Sequence, residues 1–257
     1  MTELSKRTTT EAAACFGPAT IFLLPIGSTE PHGPHLPLDT DVTIARAQAL
    51  RAAERLGELG VAAAVLPAVP FGVTNYTEGF AGRISIRPGT LWALVDDVLN
   101  ALAQEGARQV VLVNGHLEPA HVEVLRGVVL DHATRAPGRA HALFADVTRR
   151  KHAERLDAEF RSGDCHAGSY ETSIVQFADP GAVREDVRRA LPSVRIDLLA
   201  KMRDGITTFR AAGAVRAYCG DPGAASAEHG RELVELLAGI VVDLAREHWP
   251  DLFVPRA

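Results

Sequence analysis

Thr20-Ile21-Phe22-Leu23-Leu24-Pro25-Ile26-Gly27-Ser28 is an apolar run of strand length closed by a Gly-Ser turn signal, and its continuous hydrophobicity predicts a buried strand. Val42 to Leu59 follows with helical spacing, rich in Ala, Leu and Arg, with Thr40 or Asp41 available as its N-cap. The pair recurs downstream. Val61 to Leu66 reads as a second strand, Leu91 to Glu105 as a helix after the Pro88-Gly89-Thr90 start signal, and Gln109 to Val113 as a third strand. Glu118 to His132 continues as helix, Arg139 to Val147 as a fourth strand, Tyr170 to Phe177 as a helical or strand segment, and Ala225 to His248 as a long terminal helix. Strands alternating with helices predict an α/β fold with a mostly parallel sheet covered on both faces.

With 257 residues, 47% hydrophobic and 23% charged, the chain can bury a full core, and a single domain over residues 1–257 is expected. A formal net charge of −5 with arginines scattered among acids leaves no footprint for nucleic acid. Cys15, Cys165 and Cys219 are odd in number and far apart, which argues against a disulfide framework and a thiolate zinc site, and fits a reducing, cytoplasmic location. Met1 to Thr10 is polar, and no window approaches the roughly 20 apolar residues of a membrane span, so neither export nor a membrane partner is expected.

Two acidic-histidine pairs, Glu30-Pro31-His32 and His116-Leu117-Glu118, sit where apolar runs end, which is where crevices open in α/β sheets. In extended backbone, residues i and i+2 point to one side, so each pair can converge on a common centre. Pro31 keeps Glu30 out of helical angles, Pro34 and Pro37 stiffen the path to Asp41, and Gly115 permits a sharp bend before His116. Glu30, His32, Asp41, His116 and Glu118 can therefore supply O/N ligands for two divalent ions, Zn²⁺ or Mn²⁺, with Asp41 as candidate bridge. Such a centre converts bound water to hydroxide near neutral pH and polarises a carbonyl.

His166 is the candidate general acid/base, and Glu171 can either ligate metal or orient a ligating histidine. Pro67 to Gly89 is long enough to be a functional loop. Thr74, Asn75, Tyr76 and Glu78 within it form a polar cluster flanked by Phe71 and Phe80, the composition of a substrate-facing segment. Asp41 taken alone reads as a helix cap, and His35 and Asp39 as loop hydrogen-bonders. Cys165 beside His166 lacks an orienting partner for a thiol nucleophile, and there is no G-x-S-x-G elbow or phosphate loop.

At this point the residues resemble the creatininase (creatinine amidohydrolase) family. The match runs through Pro25-Ile-Gly-Ser-Thr-Glu-Pro-His-Gly-Pro-His-Leu-Pro-Leu-Asp-Thr-Asp41, Val113-Asn-Gly-His-Leu-Glu118, His166-Ala-Gly-Ser-Tyr-Glu-Thr-Ser173 and Gly220-Asp-Pro-Gly-Ala-Ala-Ser226. The resemblance implies a three-layer α/β/α domain, a dinuclear Zn²⁺/Mn²⁺ centre, hydrolysis of a cyclic or linear amide C–N bond, and a homohexamer; a non-peptide amide in a small molecule is the expected substrate. It places Glu30, His32, Asp41, His116 and Glu118 on metal-ligand positions, His166 on the catalytic histidine and Thr74 on a substrate-contacting hydroxyl.

Several residues depart from the family pattern. Ser162 stands where a tryptophan closes over creatinine, Leu117 replaces an aromatic, and Phe80-Ala81-Gly82-Arg83 alters the common Phe-Pro-Gly-Thr, with Thr77 near the place of a missing histidine. Creatinine is thus not the expected substrate, and the walls around Thr74, Tyr76, Leu117 and Ser162 are expected to define what is. The alternatives are a lactonase on the same centre and a non-catalytic metal- or small-molecule-binding protein.

Overall fold

The computed structural model describes residues 2–134 and 140–254. Thr20–Ile26 (β1), Ala62–Val65 (β2), Gln109–Asn114 (β3) and His141–Phe144 (β4) form one sheet in the order β2-β1-β3-β4. Every pair in it is parallel, with Phe22 of β1 in register with Ala64 and Val110.

Strand side chains alternate between two cores, as pleated backbone requires. Ile21, Leu23, Val111 and Val113 face a cluster with Ile44, Ala49, Leu56, Ile174, Leu237 and Ile240, from the helices Thr40–Glu58, Ser169–Ala178 and Ala227–His248. Phe22, Leu24, Ile26, Val110 and Leu112 face Leu91, Val95, Leu99, Leu125 and Val128, from Pro88–Gln104 and Pro119–Thr134. Helices thus cover both faces, giving three layers. Each such Leu, Ile or Phe removed from water contributes roughly 1.5–3 kcal/mol.

This connectivity decides where a site can form. The helix after β1 lies on one face and the helix after β3 on the other, so the two neighbouring strands diverge at their carboxyl ends and open a crevice between them. The backbone following both strands abuts the start of Thr40–Glu58. A Cβ on Gly115 would lie 2.2 Å from the Asp41 carbonyl oxygen, and one on Gly27 would lie 2.6 Å from the Val42 nitrogen. Gly115 is required for this close approach; its φ is not in the left-handed region, so the sharp bend expected there is not its role.

The Thr40–Glu58 helix begins before Val42, and Asp39 precedes it without a side-chain cap bond. Tyr170 to Phe177 lies within the helix Ser169–Ala178, and Ser226 caps the terminal helix by accepting from the His229 N–H. Short helices at Arg150–Ala153, Ala158–Ser162, Glu185–Arg189, Leu198–Arg203 and Phe209–Ala212 were not anticipated. Each is too short to show a 3.6-residue period in sequence. Arg139, the expected start of the fourth strand, lies outside the described residues. Among the described residues no helix is long and apolar enough to cross a membrane.

The terminal helix packs on Ser169–Ala178 through Gly230, where an added Cβ would fall 1.8 Å from the Ser173 carbonyl oxygen. Gly230→Ala is expected to lower the urea midpoint by the equivalent of roughly 1–3 kcal/mol, overpacking outweighing the gain in helix propensity. An unchanged or raised midpoint would contradict this packing.

Candidate metal centre

Glu30 and His32 leave the end of β1 on a loop, Asp41 sits in the first turn of Thr40–Glu58, and His116 follows β3. His166 lies in the turn before Ser169–Ala178, and Glu171 in that helix's first turn. All six are buried. Their ligand atoms fall into three groups, Glu30-Asp41-His116, His32-Asp41-Glu171 and Glu30-His32-His166, each with its atoms within 4.8 Å of one another.

Asp41 joins the first two groups. Its Oδ1 lies 3.1 Å from His32 Nε2 and its Oδ2 lies 3.0 Å from His116 Nδ1. Glu30 Oε1 stands 3.2 Å from His116 Nδ1, and Glu171 Oε2 stands 3.5 Å from His32 Nε2. Asp41 therefore does not serve as the side-chain cap of its helix, because its carboxylate is turned toward the two imidazoles.

Each of the three rings gives one nitrogen to a backbone carbonyl and turns the other to the centre. His32 Nδ1 lies 3.1 Å from the Glu30 oxygen, His116 Nε2 lies 2.8 Å from the Val73 oxygen and His166 Nε2 lies 3.0 Å from the Pro31 oxygen. These bonds turn His32 Nε2, His116 Nδ1 and His166 Nδ1 inward and fix which nitrogen each ring offers to a metal once any inward proton has left. His32 Nε2 and Asp41 Oδ2 are buried with no hydrogen-bond partner among the described residues. Buried polar atoms are ordinarily satisfied, so ligand atoms of this chemistry that meet a carboxylate or an imidazole at 3.0–3.1 Å without forming a hydrogen bond fit a divalent metal.

Further bonds hold the centre in place. Thr74 and Thr77 both donate to Glu30 Oε2, the latter at 3.2 Å. Ala167, at φ 51°, turns its N–H to Glu171 Oε2 at 2.7 Å. Asn114 brackets the turn by donating to the His116 carbonyl and accepting from its N–H at 3.2 Å. His121 bridges Asn114 Oδ1 at 3.0 Å and the Val73 N–H at 3.3 Å. Burial, and then His116, holds its pKa well below the ordinary value, so it sits neutral. Sequence reasoning missed His121; the available signal was a histidine in the first turns of the helix that follows His116.

Electrostatically the centre is a set of buried anions demanding cations. Burial opposes charge on His32, yet the Asp41 and Glu171 carboxylates raise it to about 10. His116 is likewise raised, against its burial, by Glu30 and Asp41. Burial pushes Glu171 up to about 8, with His32 pulling the other way, whereas Asp41 is held far below its usual range by His32 and His116 despite its burial. His166 is lowered to about 4 by burial and by neighbouring His32. Without metal, protons on His32 and His116 supply the positive charge.

Glu118 departs from its expected place among the ligands. It belongs to none of the three groups, and its Oε2 accepts from the N–H groups of Asn75 at 2.6 Å and Tyr76 at 3.1 Å. Glu171, open in sequence between ligating metal and orienting a histidine, belongs to the His32-Asp41-Glu171 group, its Oε2 3.5 Å from His32 Nε2. Thr74, expected to contact substrate, is fully buried and bonds Glu30 instead. Tyr76, Leu117 and Glu118 line a cavity of about 370 Å³ that also reaches Glu30, Asp41, His116, His166 and Glu171. Phe160, Leu198, Met202 and Phe209, from the short helices, complete its apolar wall. Ser162 is exposed and is not part of that wall.

The family model for creatininase, creatinine amidohydrolase, matches residues 5–245. A mycofactocin precursor peptide peptidase of Mycobacterium ulcerans is 34% identical over 238 residues, covering 87% of this chain and 84% of the relative. A solved creatininase described as Mn superposes with a TM-score of 0.71 at 25% identity, covering 96% of this chain and 98% of that one. A mutant creatininase of Zn-Zn type gives 0.71 at 24% identity, with coverages of 96% and 98%.

Metal binding to the metal-free protein must displace the protons on His32 and His116. Proton release is therefore expected on adding Zn²⁺ at pH 7, with affinity rising from pH 6 to 9 because the folded pKa of His32 lies near 10. Calorimetry in buffers of different ionisation enthalpy measures it, and binding without proton release would contradict protonation of His32 and His116 in the metal-free protein. Glu171→Gln is expected to lower bound metal per chain and Glu118→Gln to leave it unchanged, read by elemental analysis.

Proposed function

Because the chain belongs to the creatininase (creatinine amidohydrolase) family, we propose that it is a two-metal amidohydrolase cleaving a peptide amide C–N bond. Glu30, Asp41 and His116 would hold one ion and His32, Asp41 and Glu171 the other, with Asp41 shared. The observation carrying this reading is the pair of orphaned atoms, His32 Nε2 and Asp41 Oδ2, inside a ring of buried carboxylates. Two such ions, when bound, supply Lewis acidity toward water and a carbonyl oxygen.

The chain's own residues supply the proton traffic and the fit. His166 is neutral, donates from Nε2 to Pro31 and turns its Nδ1 lone pair toward the centre. That nitrogen takes a proton from the attacking water and delivers it to the leaving nitrogen. Glu118 lines the cavity with one oxygen held by two N–H groups, and no described residue bonds its Oε1, which is left for water or substrate.

A cavity of about 370 Å³ walled by Leu117, Val122, Phe160, Leu198, Leu199 and Met202 suits apolar side chains beside the scissile amide. The restriction to non-peptide amides expected from sequence is dropped, because relatives at 34% identity are named for a peptide substrate. Creatinine stays outside the proposal for want of a ring-closing residue at Ser162.

Chelator is expected to abolish hydrolysis of peptide amides with apolar side chains, and Zn²⁺ or Mn²⁺ to restore it. His166→Gln should keep its metal while kcat falls roughly 10²–10⁴-fold. Turnover by the metal-free protein, or a normal kcat in His166→Gln, would contradict the proposal.

A further inference from the structure

His166 is held by one hydrogen bond, from Nε2 to the Pro31 carbonyl at 3.0 Å. With the ring tethered at Cγ by the chain and at Nε2 by this bond, its plane can still tilt about the line joining the two atoms. What holds the plane is Phe209. Its ring is 5% exposed and stacks nearly parallel on the imidazole, centroids 4.2 Å apart at 17°. The His32 ring lies 4.5 Å from His166 at 37°. Offset stacking at such distances is attractive and orients both rings.

Phe209 is itself fixed from the loop that steadies Glu30. Its N–H donates to the Tyr76 carbonyl at 2.8 Å, and the two rings meet edge to face at 5.7 Å. The Tyr76 hydroxyl donates to the Ile206 carbonyl at 3.0 Å. Arg210 donates to the Gly79 carbonyl at 3.1 Å and lies over the Phe80 ring at 4.8 Å. Thr74 and Thr77, on the same loop, donate to Glu30. The loop that holds a ligand carboxylate therefore also sets the surface on which His166 rests.

From these contacts we propose that Phe209 is a positioning residue, locking the plane of His166 so that Nδ1 faces the centre. The proposal rests on the hydrolase reading above for its kinetic consequence only. An aromatic face is what the position requires, since an aliphatic residue of similar size fills the space without fixing an orientation.

The test compares Phe209→Leu with Phe209→Tyr. In metal-loaded protein, Phe209→Leu is expected to keep its fold and metal content while kcat falls roughly ten- to hundred-fold, more than any change in KM from its place in the cavity wall, and Phe209→Tyr to return to within a few-fold of the parent. In crystals of the metal-free proteins, the His166 ring is expected to hold one plane in the parent and in Phe209→Tyr, and more than one in Phe209→Leu. A normal kcat in Phe209→Leu, equal losses in both variants, loss of metal alongside loss of rate, or a single unchanged ring plane in Phe209→Leu would each overturn it. Should the loaded parent hydrolyse no peptide amide, the proposed reaction fails and the ring-plane measurement alone decides the positioning role.

Discussion

Three carboxylates almost without access to water, those of Glu30, Asp41 and Glu171, converge on the imidazoles of His32 and His116. Removing a carboxylate from water costs on the order of several kcal/mol unless a cation answers it. Among the described residues the ion-pair partners of these carboxylates are histidines and not lysine or arginine, so the compensating charge must come from protonated histidines or bound cations. Much of the surrounding structure follows from that demand. The backbone carbonyls of Glu30, Pro31 and Val73 fix which nitrogen of each ring faces inward, and glycine at 27 and 115 lets two strand ends close on the residue that joins both ligand groups.

The fold was legible because its strands are continuous apolar runs. Thr20–Ile26 was bounded correctly since Gly27 follows a stretch buried on both faces, and β3 extended only one residue beyond expectation, to Asn114. The pairs at the ends of β1 and β3 were legible for a related reason: parallel strands deliver their carboxyl ends to one edge, so polar residues there share a crevice. Between residues 150 and 213 only the segment Tyr170 to Phe177 was legible, and the short helices around it were not. Those helices are four to six residues long and are held by long-range bonds, such as Asp164 accepting from the N–H groups of Ile196, Asp197 and Leu198.

The same limit explains the site. Spacing of i and i+2 suggests that His116 and Glu118 share a direction, yet the N–H groups of Asn75 and Tyr76, from another loop, draw Glu118 aside. Glu171, named in sequence without a choice between its two roles, reaches the centre from the first turn of Ser169–Ala178, and that packing is what places it in the His32-Asp41-Glu171 group. Thr74 was recognised as belonging to the site, but its partner Glu30 is set by a loop closure that sequence does not reveal. Ligand identity thus depended on tertiary contacts, while ligand location followed from topology.

Crystals of the protein grown with Zn²⁺, with data collected on either side of the zinc absorption edge, test the central claim most directly. Two anomalous peaks are expected in the crevice, one on each side of Asp41, the first ringed by Glu30 and His116 and the second by His32 and Glu171. A single peak, or a peak bound by Glu118 in place of Glu171, would contradict the account.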